Sequence, residues 1–146
     1  IHQYKYEQQL HYQTLLTHCL LNLNLPQVDA IVAMPISKQR LAERGYNQML
    51  IVAKRLAAQC KLPLWQPVIR TAQHSQKGLS RLERLEAIEQ QFQIIPTERG
   101  RYNKVLLLDD VVTTGSSLAA MQHALKRLGC KQIELACIAL ASPKML

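Results

Sequence analysis

Residues 106–117 read LLLDDVVTTGSS, and the fold turns on how this stretch is read. Three leucines run into two adjacent carboxylates, Asp109 and Asp110; after two valines come Thr113, Thr114, Gly115, Ser116 and Ser117. The apolar run predicts a buried strand over Lys104–Leu108. The small residues predict a turn, and the periodic segment beyond predicts a helix over Ser117–Leu128, ended by Gly129. A turn between strand and helix start presents successive backbone N–H groups and the positive end of the helix dipole, which together suit an anion, phosphate above all. Gly115 lets the backbone fold closely around that anion, and the four hydroxyls add donors. Two carboxylates would repel a bare phosphate. They suit a ligand that also brings hydroxyls to be accepted, or a divalent cation, and a phosphorylated sugar meets both needs. Capping residues with an acid pair balancing the helix dipole would explain one or two of these positions. It does not explain two charges against an apolar run, where desolvation is costly.

Outward from this stretch the chain alternates strands and helices. Leu10, Leu15, Leu16, Leu20 and Leu23 predict a helix over 4–23, ended by Pro26. Val28–Met34 reads as a buried strand stopping at Pro35. Asn47 is placed to cap a helix to about Cys60, with Leu50, Ala53, Leu56 and Ala57 inward. An extended piece between Pro63 and Arg70, a loop over 71–80, a helix near 80–90, a strand at Phe92–Ile95 and a last strand at Gln132–Leu140 complete the order. The expectation is an α/β fold in one domain over 1–146, with a mostly parallel central sheet and helices on both faces. Ligands of such sheets sit beyond the carboxyl ends of the strands. The segments after Met34 and after Leu108 both fall there.

Bulk properties narrow the class. The chain has 146 residues, 48% hydrophobic and 19% charged, which suits a globular protein rather than a disordered one. No apolar run approaches the roughly 20 residues of a membrane helix, and no signal-peptide pattern is visible, so a cytoplasmic location without membrane insertion is expected. Cys19, Cys60, Cys130 and Cys137 are scattered and read as four buried small hydrophobes; no zinc is expected in this chain. The five histidines show no metal-ligand spacing. A net charge of +8 favours anionic ligands, nucleic acid or an acidic partner. A phosphoacceptor receiver domain fails because no aspartate follows Asp110. A P-loop NTPase fails because no G-x-x-x-x-G-K-[ST] occurs.

VLLLDDVVTTGSS at 105–117 resembles the 5-phosphoribosyl-1-pyrophosphate (PRPP) signature of the type I phosphoribosyltransferases. MPISKQRLAERGYNQ at 34–48, Gln76, Leu79 and Arg84 within QKGLSRLER, and the opening YKYEQQLHYQTLL resemble the ComF/GntX family, associated with bacterial competence and DNA uptake. The similarity spans essentially the whole chain. It implies a type I phosphoribosyltransferase-like fold with a small variable hood, here built from 1–26 and 60–75. Family members typically carry an N-terminal four-cysteine zinc module, and the chain is expected to begin after it. By resemblance, Asp109 and Asp110 hold the ribose hydroxyls and meet Mg²⁺ only indirectly, through PRPP and waters. Val111, Val112, Thr113, Thr114, Gly115, Ser116 and Ser117 form the PRPP loop. Pro35, Ile36, Ser37 and Lys38 form a pyrophosphate loop, Arg44 is a catalytic candidate against pyrophosphate charge, and Lys77, Arg81 and Arg84 are the cations of a mobile loop at 71–84. Read alone, RGYNQ is a glycine turn with an asparagine cap. The family pattern carries Asn three residues after the arginine matched by Arg84, whereas this chain has Ala87.

If the site is catalytic, the reaction is displacement of pyrophosphate from C1 of PRPP through an oxocarbenium-like transition state, with an acceptor the sequence does not name. The other reading is a non-catalytic, PRPP-responsive module that handles single-stranded DNA or contacts a competence helicase. Basic residues at 70–84 and at Arg99, Arg101 and Lys104 favour it, and an aromatic content of 5% weighs against base stacking. Trp65 reads as packing.

Overall fold

The computed structural model describes residues 2–71, 77–112 and 115–140. In chain order the elements are α1 (His2–Leu21), β1 (Ala30–Ala33), α2 (Lys38–Arg44), α3 (Gln48–Cys60), β2 (Val68–Arg70), α4 (Arg81–Gln90), β3 (Phe92–Ile94), a 3-10 turn at Pro96–Glu98, β4 (Lys104–Val112), α5 (Ser116–Arg127) and β5 (Gln132–Leu140). The main sheet is all parallel, in the order β1-β4-β5. β1 pairs with β4 from Ala30↔Val105 to Ala33↔Leu108. β5 pairs with β4 from Lys104↔Gln132 to Val112↔Leu140. β2 and β3 form a separate antiparallel pair, with Arg70 opposite Phe92.

β4 is apolar without alternation because both of its faces are covered. Val105 and Leu107 pack with Met121, Ala124 and Leu125 of α5, and with Trp65 and Phe92. Leu106 and Leu108 pack with Val52, Ala53 and Leu56 of α3, and with Leu16 and Leu20 of α1. All four strand residues are at most 1% exposed. Helix α1 packs against α3 and adds Leu16 and Leu20 to the core on that side of the sheet.

The structure departs from the sequence reading in four places. Strand β4 continues past Leu108 to Val112, because β5 offers ladder partners as far as Leu140; both carboxylates thus stand on the strand rather than after it. Residues 38–44 form a helix that went unforeseen. At seven residues it is too short to show a period, and it is defined by its ends, Ser37 as N-cap and Gly45 at φ 83° as C-cap. Strand β1 is limited to Ala30–Ala33. Of the four cysteines only Cys130 is buried; Cys19 is exposed, and Cys60 and Cys137 are half-buried. Trp65 packs as expected: 4% exposed, it donates from Nε1 to Glu98 Oε2 at 2.5 Å and meets the Tyr102 ring edge-on at 5.1 Å between centroids.

Candidate functional site

The parallel ladder brings the two loops singled out in the sequence to one end of the sheet. The Met34 N–H donates to the Leu108 carbonyl at 2.8 Å, so Pro35–Ser37 leaves β1 directly beside Asp109. Asn47 fastens this corner. Its Nδ2 donates to the Met34 carbonyl at 3.3 Å, while its Oδ1 accepts from the N–H groups of Met49 and Leu50 at the start of α3. The asparagine of RGYNQ is thus a helix cap and also a tie between α3 and the end of β1.

Alternation along β4 sends Asp109 to the α5 face, with Leu107, and Asp110 to the α3 face, with Leu108. Asp109 is 9% exposed and Asp110 half-buried. The Asp110 N–H donates to Asp109 Oδ1 at 2.9 Å. Burial pushes the Asp109 carboxyl up to about 6, and the neighbouring Asp110 charge adds to the rise; the Asp110 N–H and the Arg70 charge oppose it.

Beyond β4, Gly115 takes φ 78° and caps α5, leaving the first turn without a side-chain cap bond from its N-cap residue. Ser116 and Ser117 open that turn, both half-buried. Thr113 and Thr114 lie outside the described residues. For Val111 and Val112 the description is limited to their place in β4.

The pyrophosphate-loop expectation meets a more structured segment. Ser37 is buried; its hydroxyl accepts from the Arg40 N–H at 3.3 Å and its carbonyl from the Leu41 N–H at 2.9 Å. Lys38 is the exposed first residue of α2, and Pro35 and Ile36 are half-buried. Arg44 is exposed in the last turn of α2, the end remote from Ser37, where its charge complements the helix dipole. Lys77 and Arg81 are exposed. Arg84 Nε donates to the Leu79 carbonyl at 3.1 Å, beside a capping box in which Ser80 and Glu83 bond each other's backbone N–H.

Arg70, which the sequence did not single out as a site residue, reaches the site, and Arg40 acts on it through its charge. Arg70, at the end of β2, donates from Nη2 to Ser117 Oγ at 3.3 Å and lies with its guanidinium carbon 5.0 Å from the Phe92 ring centre. Burial lowers its pKa, as does the charge of Arg40, while Asp109 raises it. Arg40 therefore stands within electrostatic reach of Arg70. The signal that could have found Arg70 is its position at the end of an extended piece just before a polar loop. For Arg40 nothing in the sequence distinguishes it from its basic neighbours.

Among the described residues no group of three or more His, Cys, Asp or Glu could hold a metal ion. The donor set at the strand end is two carboxylates, which fits Mg²⁺ only as an ion that brings most of its ligands with it. A concavity of about 570 Å³ lies elsewhere, at the amino ends of β1 and β4, between Leu25, Val28, Leu62, Leu106 and Lys104. The one carboxylate there, Asp29, is occupied by the N–H groups of Asn103 and Lys104 at 3.3 and 2.9 Å, which makes it a backbone brace. Chemistry, rather than volume, marks the Asp109 end.

Comparison with known proteins agrees with the fold. The phosphoribosyl transferase domain model matches residues 45–144. Competence protein F of Haemophilus influenzae is 31% identical over 116 residues, 77% of this chain and 50% of that protein, so the chain spans half the length of this relative. Adenine phosphoribosyltransferase of Leishmania donovani superposes with a TM-score of 0.52 at 14% identity, covering 92% of this chain and 53% of that one. The enzyme of the same name from Leishmania tarentolae gives 0.50 at 14% identity, covering 88% and 56%.

The raised Asp109 carboxyl has a consequence for stability. Its folded value of about 6 lies above the ordinary 3.8, so the folded chain binds more protons than the unfolded one between about pH 4 and 6. Stability falls as pH rises through that window. Asp109→Asn should therefore be more stable than wild type in denaturant titrations at pH 7.5, by about 1 kcal/mol of unfolding free energy after discounting for solvent screening. The gap should close toward pH 4; a gap independent of pH would contradict burial of the Asp109 charge as its cause.

Proposed function

The chain belongs to the phosphoribosyl transferase domain family, and from that premise we propose that it binds PRPP at the carboxyl end of its parallel sheet. The single observation that carries this reading is the placement of the Asp109–Asp110 pair just ahead of the glycine-capped start of α5. Asp109 and Asp110 accept the ribose 2′- and 3′-hydroxyls. The first-turn N–H groups of α5, with the Ser116 and Ser117 hydroxyls and the Thr113–Gly115 backbone, receive the 5′-phosphate. The Pro35–Lys38 segment, with Arg40 nearby, faces the pyrophosphate, and Arg44 supplies longer-range charge. Mg²⁺ would arrive with PRPP; Asp109 and Asp110 would meet it only indirectly, through PRPP and water, and it would offset pyrophosphate charge. Where an acceptor is present, its nucleophilic atom bonds to C1 of the ribose as the C1–O bond breaks and pyrophosphate leaves with the electron pair. The chain contributes orientation and cations around the departing group.

Calorimetric titration with Mg·PRPP tests the ligand. Wild type should bind in the micromolar range, and Asp109→Asn/Asp110→Asn should weaken binding at least tenfold, since each lost charge-assisted hydrogen bond removes roughly 1.5–3 kcal/mol. Equal affinity in the two proteins would remove the assignment.

A role in competence is proposed on a separate footing. Its support is the similarity to Competence protein F and a net charge of +8, which suits handling of single-stranded DNA in a cytoplasmic setting, alone or with a helicase partner. Fluorescence anisotropy with a labelled oligonucleotide should show affinity falling steeply with salt. Binding that is absent at low salt, or indifferent to salt, would remove the DNA role and leave the PRPP site standing.

A further inference from the structure

We propose that Arg70, carried in from the β2–β3 pair, is the side-chain cation of the phosphate end of this site, reaching the first turn of α5 from outside the 109–117 stretch. This deepens the PRPP-site reading and rests on it. Arg70 Nη2 donates to Ser117 Oγ at 3.3 Å, so the guanidinium sits at the second residue of α5, at the positive end of the helix dipole. The hydroxyl that accepts from Arg70 keeps its own proton to donate, and the two groups then offer donors to the same anion.

Three features hold the guanidinium in place. The ladder pairs Arg70 with Phe92, whose ring lies 5.0 Å beneath the guanidinium carbon. Thr71 continues the pairing, its N–H donating to the Gln91 carbonyl at 2.8 Å. Phe92 itself is 4% exposed in the core under α5. Arg70 is thus preorganised, with a planar fork suited to a phosphate edge.

The local charge balance also favours an anion. The charged groups acting on Arg70 are Arg40 from α2 and Asp109 from β4. Burial and then the Arg40 charge lower the Arg70 pKa, and Asp109 offsets them only in part, which leaves positive charge in local excess at the guanidinium. An arriving phosphate reverses that excess. Because Arg70 immediately precedes the 71–84 segment, the phosphate would also tie the β2–β3 pair to α5.

The test uses ribose 5-phosphate and inorganic pyrophosphate as separate calorimetric probes on wild type, Arg70→Gln and Arg70→Lys, with thermal melts to confirm folding. Arg70→Gln should weaken ribose 5-phosphate tenfold or more and leave pyrophosphate within twofold. Arg70→Lys, which keeps the charge but loses the fork, should weaken ribose 5-phosphate about threefold, and it carries the test if the glutamine variant does not fold. Ribose 5-phosphate affinity within twofold of wild type in the tested variant overturns the proposal, as does a larger loss for pyrophosphate. Wild type that binds neither probe overturns the reading of the site as well.

Discussion

A carboxylate driven into the end of a fully covered strand is the constraint around which this molecule is arranged. Strand β4 buries Val105–Leu108 on both faces and then carries Asp109 forward while it is still paired with β5. Water is largely withdrawn from that side chain, and its carboxyl rises to about 6. The surroundings supply compensation piecemeal: a backbone N–H from Asp110 and the charge of Arg70 across the start of α5. An isolated structural acid would be less costly here as asparagine, and the proposed PRPP site would use the remaining acceptor capacity of the carboxylate.

The elements around Asp109 act as positioning devices. β1 ends in register with Leu108, which fixes where Pro35 departs, and Asn47 pins that departure to the start of α3. On the other side the β2–β3 pair hangs Arg70 over Phe92 and onto Ser117. α2, α5 and the β2–β3 pair thereby converge on one sheet end from three directions, with cations outside and the acid pair within. The concavity at the opposite end has an apolar floor and a backbone-braced aspartate, and nothing that gathers comparable chemistry.

Much of this was legible in the sequence because each feature had a local signal. The unbroken run before Asp109 pointed to a strand covered on both faces, Gly115 to the left-handed turn, and Asn47 to the cap of α3. Hidden features were those set by partners distant in sequence. The extra length of β4 depends on β5, some thirty residues on by the Val112↔Leu140 pairing. Helix α2 is too short to show a period. Arg70 looks like any surface arginine until β3 folds back and brings it to Ser117, 47 residues away. Burial of the cysteines was over-read because a thiol's place depends on the packing of the element that bears it: Cys130 is enclosed after α5, while Cys19 sits on the outer side of α1.

Whether a sugar phosphate settles at the Asp109 end is read most directly from a ¹H–¹⁵N spectrum of the protein titrated with ribose 5-phosphate. The largest amide shifts should fall at Asp109–Ser117, with a second group at Arg70 and Thr71 and little change at Cys60, Leu62 and Lys104. Shifts concentrated at those last three residues, or none at saturating ligand, would contradict a phosphate site at the carboxyl end of β4.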